Sequence, residues 1–177
     1  NTQDKFMQLM NQNMEVLNSK YFWFPRNYKV ELKKCEKIIL AIQGPKSQGL
    51  FEKLFLKKLD TMYFMENRTI HYHKSKIEIC RCGYTGEDGF ELYLDLELGK
   101  KIYQQLLDLS VADETIMLGG LLERDILRLE AGLCLSGSEF GSEDKKIHFQ
   151  EANLNFIIGK KRRKDLGFIG DKNFLLE

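Results

Sequence analysis

The 177-residue chain lacks any uncharged apolar run near the roughly 20 residues that a membrane-crossing helix requires. Its longest greasy stretches, such as IILAI at 38–42, are strand-sized, so the chain reads as soluble. It also lacks an excess of charge of one sign. The 27 Lys and Arg stand against 26 Asp and Glu, a formal net charge of +1, and no overall field points to nucleic acid or a membrane as the main partner. Cysteines number only four, at Cys35, Cys80, Cys82 and Cys134. They are too few for a disulfide scaffold and are not spaced like a zinc site, so a reducing compartment is the default. There is no internal repeat, no long flexible linker, no P-loop pattern, no HExxH and no Ser/His/Asp order. The opening NTQDKFMQLMNQ has neither the basic segment nor the apolar run of a signal peptide. Starting with Asn1 rather than Met, the chain reads as processed or as cut from something longer.

What is present is enough apolar material for a core: 43% hydrophobic and 11% aromatic residues. Phe6, Met10, Met14 and Leu17 recur at helical steps and predict an amphipathic helix over 4–18. YFWFPRNY reads as a packed connection, and KVELKK and KIILAIQ as strands. Pro45 then stands where a first helical residue would, opening a helix that buries Leu50, Phe51, Leu54, Phe55 and Leu59. MYFM, RTIHYH and KIEICRC predict three short strands. FELYLDLEL gives the clearest one, with Phe90, Leu92, Leu94 and Leu96 alternating with Glu91, Tyr93, Asp95 and Glu97. Helical spacing returns at KKIYQQLLDL and over 119–131, the latter with an apolar face of Leu121, Leu122 and Leu129. The tail reads as a polar loop, an extended stretch HFQEANLNFII, a basic run at 160–164 and a helix start near Asp171. Mixed elements without a βαβα alternation predict an α+β fold with an antiparallel sheet covered on one face.

The segment Gly83-Tyr84-Thr85-Gly86-Glu87-Asp88-Gly89-Phe90-Glu91 packs three glycines, three carboxylates and a tyrosine into one strand-to-strand turn. Glycine allows close backbone approach to a ligand, so this is either a binding loop or a long hairpin connection with solvated carboxylates. Glu91 lies opposite Phe90 in the alternation. On a merely wet face it would be ordinary, whereas lining a cleft it could accept two parallel hydrogen bonds from a guanidine-like ring edge. Arg124 and Arg128, four residues apart among Glu123, Asp125 and Glu130, read as a solvated face of helical ion pairs. His71 and His73 fall on one face of a predicted strand, with Cys80 and Cys82 nearby, but no second ligand pair argues for a metal, and none is assigned.

Four blocks, LAIQGP at 40–45, CGYTGEDGFEL at 82–92, ERDILRLEAGLCLSG at 123–137 and EANLNFIIGKKRRKDLGFIG at 151–170, resemble the aminomethyltransferase (T-protein) family of the glycine cleavage system in order and content. GEDG rather than GELG separates the chain from the dimethylglycine and sarcosine dehydrogenase relatives. The resemblance implies transfer of the methylene of an aminomethyl group, carried on the lipoyl arm of H-protein, to tetrahydrofolate with release of ammonia. The expected partners are lipoylated H-protein and folate, with no nucleic acid and no membrane. It implies folate-binding roles for Glu91, Arg124 and Tyr84, and a mitochondrial matrix location suggested by the GKKRR stretch. It also implies a ferredoxin-like α+β middle domain over about 25–115, with 116–177 a helix and extended segment returning to a first domain. The family's catalytic aspartate would lie upstream of Asn1 and its C-terminal barrel beyond Glu177, so the chain is expected to be an internal fragment, inactive alone. The alternatives are the folate domain of a demethylating oxidoreductase and a non-catalytic folate-binding scaffold. Phe149 stands where the family usually has proline.

Overall fold

The computed structural model describes residues 7, 8, 10, 11, 35–59, 61–139, 147 and 150–167. Two compact units divide the chain, 1–38 and 39–177. In the first, residues 7, 8, 10 and 11 are helical, inside the helix expected over 4–18. The expected strand KVELKK, the YFWFPRNY connection, Phe149 and the helix start near Asp171 lie outside the described residues.

Apart from Ile38, the remaining elements belong to the second unit. They are β1 (Ile38–Gln43), α1 (Ser47–Phe55), β2 (Asn67–Tyr72), β3 (Ser75–Cys80), β4 (Gly89–Leu94), α2 (Leu96–Ala112), α3 (Leu121–Glu130), a 3-10 turn (Asn155–Ile157) and α4 (Lys160–Asp165). The class is the α+β expected. The strands form one sheet in the order β1-β4-β3-β2, with β2 antiparallel to β3 and β3 to β4.

The alternation in β4 decides which way the sheet faces. Phe90, Leu92 and Leu94 are fully buried, together with Ile77 and Ile79 of β3. Phe51 and Phe55 of α1 close over this face. Phe51 lies 4.5 Å from Phe55 and 5.1 Å from Phe90 between ring centroids, and Phe55 meets Tyr72 edge-on at 5.1 Å. Each such side chain contributes about 1.5–3 kcal/mol by leaving water. Ile102 of α2 is buried as well. The opposite face carries Glu78, Cys80, Glu91 and Tyr93, since Cys80 pairs with Glu91 and Glu78 with Tyr93 across the β3–β4 ladder.

Several expected elements are corrected. MYFM is a turn, not a strand: Met65 has φ of 65° and its N–H bonds to the Arg81 carbonyl at 2.8 Å. His73 is not on the strand with His71 but in the β2–β3 turn, at φ 51°, with its ring 4.4 Å from that of Tyr72. Pro45 precedes α1 in a turn rather than opening the helix. Leu96 does not continue β4 but begins α2, so it is exposed. The tail around residue 155 is a 3-10 turn rather than extended, and the basic run 160–164 is helical.

The largest reversal concerns α3. Its apolar residues Leu121, Leu122 and Leu129 are 86%, 68% and 52% exposed, while Arg128 is buried with 2% exposure. Arg128 makes a fork pair to Glu139, Nη1 to Oε2 at 2.7 Å and Nη2 to Oε1 at 2.9 Å. Its Nε donates to Asp125 at 2.8 Å and Nη1 also to the Leu133 carbonyl at 3.2 Å. The arginine expected to be a solvated surface charge therefore ties the segment 133–139 to its helix.

Candidate functional site

The glycine-rich connection between β3 and β4 is a built loop rather than a loose hairpin. At its base Arg81 and Asp88 form a two-pronged ion pair, Nε to Oδ1 at 2.9 Å and Nη2 to Oδ2 at 2.6 Å. A planar guanidinium matches a carboxylate in this way, which fixes geometry as well as adding attraction. Arg81 is further held by the Met62 carbonyl at 2.7 Å and by Gln48 at 3.0 Å, and it lies over the Phe90 ring at 5.4 Å. The Arg81 guanidinium holds the Asp88 carboxyl below its usual range. The Asp88 carbonyl in turn accepts the Gly44 N–H at 2.8 Å and the Ser47 hydroxyl at 3.2 Å, which anchors the loop to the end of β1 and the start of α1.

The far side of the loop rests on α3. The Tyr84 hydroxyl donates to the Cys134 carbonyl, and the Arg124 guanidinium lies over the Tyr84 ring, 5.2 Å from its centroid. Arg124 is exposed and makes no ion pair among the described residues. Gly86, at φ 78°, lets the loop approach the helix end: a Cβ there would stand 2.7 Å from that of Ala131. Gly86→Val should therefore cost about 1–3 kcal/mol through backbone strain alone. Ala131→Gly should return part of the further steric loss, as read by urea unfolding of the double-mutant cycle. Equal loss with and without the second change would refute the contact.

Glu91 occupies a different part of the same region. It points from β4 to the polar face, opposite Cys80, and accepts the Tyr93 hydroxyl at 3.2 Å. Burial pushes the Cys82 thiol up to about 12, with the neighbouring Cys80 and the Glu91 charge adding to the effect. Burial also raises the Tyr93 hydroxyl, again helped by Glu91. Neither thiol nor phenol is thus poised to ionise, and Glu91 is the carboxylate of a partly dehydrated patch. Tyr84 and Arg124 are brought into direct contact; no bond or ring contact joins Glu91 to either among the described residues. Nor do the described residues contain a group of three or more metal-ligating side chains. No helix among them is long and apolar enough to cross a membrane.

Sequence reasoning missed Gln43, Arg81, Asp88 and Glu139. The Arg81–Asp88 pair had a signal: one basic and one acidic residue seven apart, each just outside or inside the loop's glycines. Glu139 had none, because only the return of the chain past α3 brings it to Arg128.

The profile of the GCVT N-terminal domain family matches residues 1–162. The chain belongs to that family. Aminomethyltransferase of Pisum sativum mitochondria is 42% identical over 135 residues, 76% of this chain and 32% of the pea protein. The probable mitochondrial aminomethyltransferase of Schizosaccharomyces pombe is 37% identical over 154 residues, 85% of this chain and 38% of the yeast protein. A bacterial aminomethyltransferase, from Leptospira biflexa, is 36% identical over 136 residues, 75% of this chain and 36% of that protein. Among solved structures, glycine cleavage system aminomethyltransferase T from Bartonella henselae superposes with a TM-score of 0.65 at 29% identity, over 93% of this chain and 42% of that one. The chain thus spans about a third of the length of the curated relatives it matches.

Proposed function

We propose that these 177 residues carry the folate side of an aminomethyltransferase, which passes the methylene of an H-protein-bound aminomethyl group to tetrahydrofolate and releases ammonia. The observation that supports it best is the loop itself: it sets the Tyr84–Arg124 pair on one side and leads directly into Glu91 on the half-buried polar face. In this reading the Glu91 carboxylate accepts two hydrogen bonds from the pterin ring edge, a bidentate contact strengthened by partial removal from water. Arg124, exposed and backed by the Tyr84 ring, supplies a cation for the ligand's carboxylates. The relatives named as aminomethyltransferases support the same reaction class, and those named as mitochondrial support a mitochondrial location. In domain terms this reading divides the chain into a ferredoxin-like part over about 25–115 and a second part over 116–177 that includes Arg124. No catalytic residue is assigned within this chain.

Calorimetric titration of 5-formyltetrahydrofolate into the chain tests the reading. Saturable heat is expected, weakened in Glu91→Ala and Arg124→Ala by about 1–3 kcal/mol each, because a charged group loses its partner. Binding that both variants leave untouched would sink the site assignment.

A further inference from the structure

Deepening that reading, we propose that Gln43 is the positioning residue of the folate loop, holding the two sides of its neck together through one side-chain amide. The β3–β4 ladder ends at the Cys80–Glu91 pair, so the strands have no paired rung beyond it toward the loop. Gln43, at the end of β1, reaches into this gap. Its Nε2 donates to the Cys82 carbonyl at 3.0 Å and to the Phe90 carbonyl at 3.4 Å, one on each side of the neck. A primary amide has two N–H groups and can serve both at once. Its oxygen faces the loop interior and accepts from the Thr85 hydroxyl at 3.5 Å.

The two flanking glycines fit the same role. A Cβ on Gly83 would stand 1.8 Å from the Gln43 Oε1, and one on Gly89 would stand 2.3 Å from it. Any larger residue at either position would displace the amide. No hydrogen bond joins Gln43 to Tyr84 or Glu91 among the described residues, yet both follow directly from what it holds. Tyr84 is two residues beyond Cys82, and Glu91 is the residue after Phe90. A neck that opens would let the Tyr84 ring and the Glu91 carboxylate move apart without disturbing the Phe51–Phe90 core. Gln43 therefore acts through these two residues rather than on the ligand.

The experiment compares the 177-residue chain with Gln43→Met and Gln43→Glu by amide hydrogen exchange and by 5-formyltetrahydrofolate calorimetry. Methionine keeps the length and fills the space between the glycines but donates nothing. Amides of residues 83–90 should exchange about tenfold faster in Gln43→Met while those of α2 stay unchanged, and folate should bind about tenfold more weakly. Glutamate sets an acceptor against two carbonyls, so Gln43→Glu should open the neck at pH 8. It should recover toward the wild-type ratio as pH falls below about 4, where a protonated carboxyl regains one donor. A side chain that only fills space would show no such pH dependence.

Unchanged loop exchange in Gln43→Met would overturn the proposal, as would faster exchange with wild-type folate affinity. Silence from the wild-type chain would instead sink the folate reading on which the proposal rests.

Discussion

Phe90→Ala is expected to remove about 3–5 kcal/mol from the unfolding free energy, the range for truncating a buried aromatic whose neighbours cannot collapse into the space. Phe90 is fully buried between Phe51, 5.1 Å away, and the Arg81 guanidinium, 5.4 Å from its ring. Its neighbours on β3 and β4 are fixed by the ladder, and Phe51 is fixed by its own contact with Phe55, so little can move in to fill the gap. A domain of this size has only about 5–15 kcal/mol in total, so the variant should lose a fifth of its stability or more. Urea titration followed by circular dichroism measures the loss. Phe156→Ala provides the contrast: that ring is exposed, and its removal should change stability by less than about 0.5 kcal/mol. A Phe90→Ala loss no larger than that of Phe156→Ala would show that the helix α1 and sheet faces do not form a packed core.

The second large effect concerns pH. The Arg128 guanidinium, helped by the Leu135 N–H, lowers the Glu139 carboxyl from the usual 4.5 to about 2. A depressed carboxylate contributes stability that is complete above its unfolded value and disappears as pH falls through its folded one. For Glu139 the window runs from about pH 4.5 down to about 2. In it the unfolded chain takes up about one proton at this residue that the folded chain refuses. Glu139→Gln should therefore be less stable than wild type at neutral pH. Between those limits its stability should fall less steeply with acid, by about one proton in the linked uptake on unfolding. Thermal midpoints measured at half-unit intervals from pH 7 to 2 give the slope. Parallel curves for the two proteins would mean that Glu139 and Arg128 do not pair in solution. The Asp88 carboxyl, held low by Arg81, contributes in the same direction, so the wild-type loop should also loosen in acid.

These two effects meet at the candidate site. Phe90 forms the rear wall of the loop, and Glu139 fixes the segment whose Cys134 carbonyl receives the Tyr84 hydroxyl. Damage to the first should weaken the whole fold. Damage to the second should free the returning segment while leaving the sheet intact, because the described partners of Arg128, namely Asp125, Leu133 and Glu139, lie outside the strands.

How much of this was legible beforehand differs from element to element. FELYLDL announced β4 and both of its faces, because a strand's side chains alternate strictly and the apolar ones must find cover. The same reasoning located α1 and placed Phe51 and Phe55 inward. The strand MYFM was misread because short apolar runs carry no periodicity, and the turn is made by a positive φ at Met65 that composition does not announce. On α3 the rule reversed. A leucine stripe announced burial and two arginines announced solvent, yet the leucines are exposed and Arg128 is buried. Hydrophobicity alone cannot recognise a charge that will meet Glu139 eleven residues later and be satisfied there.

The class of fold, the sheet face that Glu91 occupies and the loop with its three glycines could all be read from the chain before it folds. All of these rest on spacing along a few neighbouring residues. Packing alone reveals that Arg124 lies on Tyr84, that Arg81 clamps Asp88 and that Gln43 bridges Cys82 and Phe90. Those contacts join residues 7 to 47 positions apart, and no local pattern encodes which distant partner will satisfy a given polar group. The chain finds that partner only when the sheet and helices bring both ends to the same place.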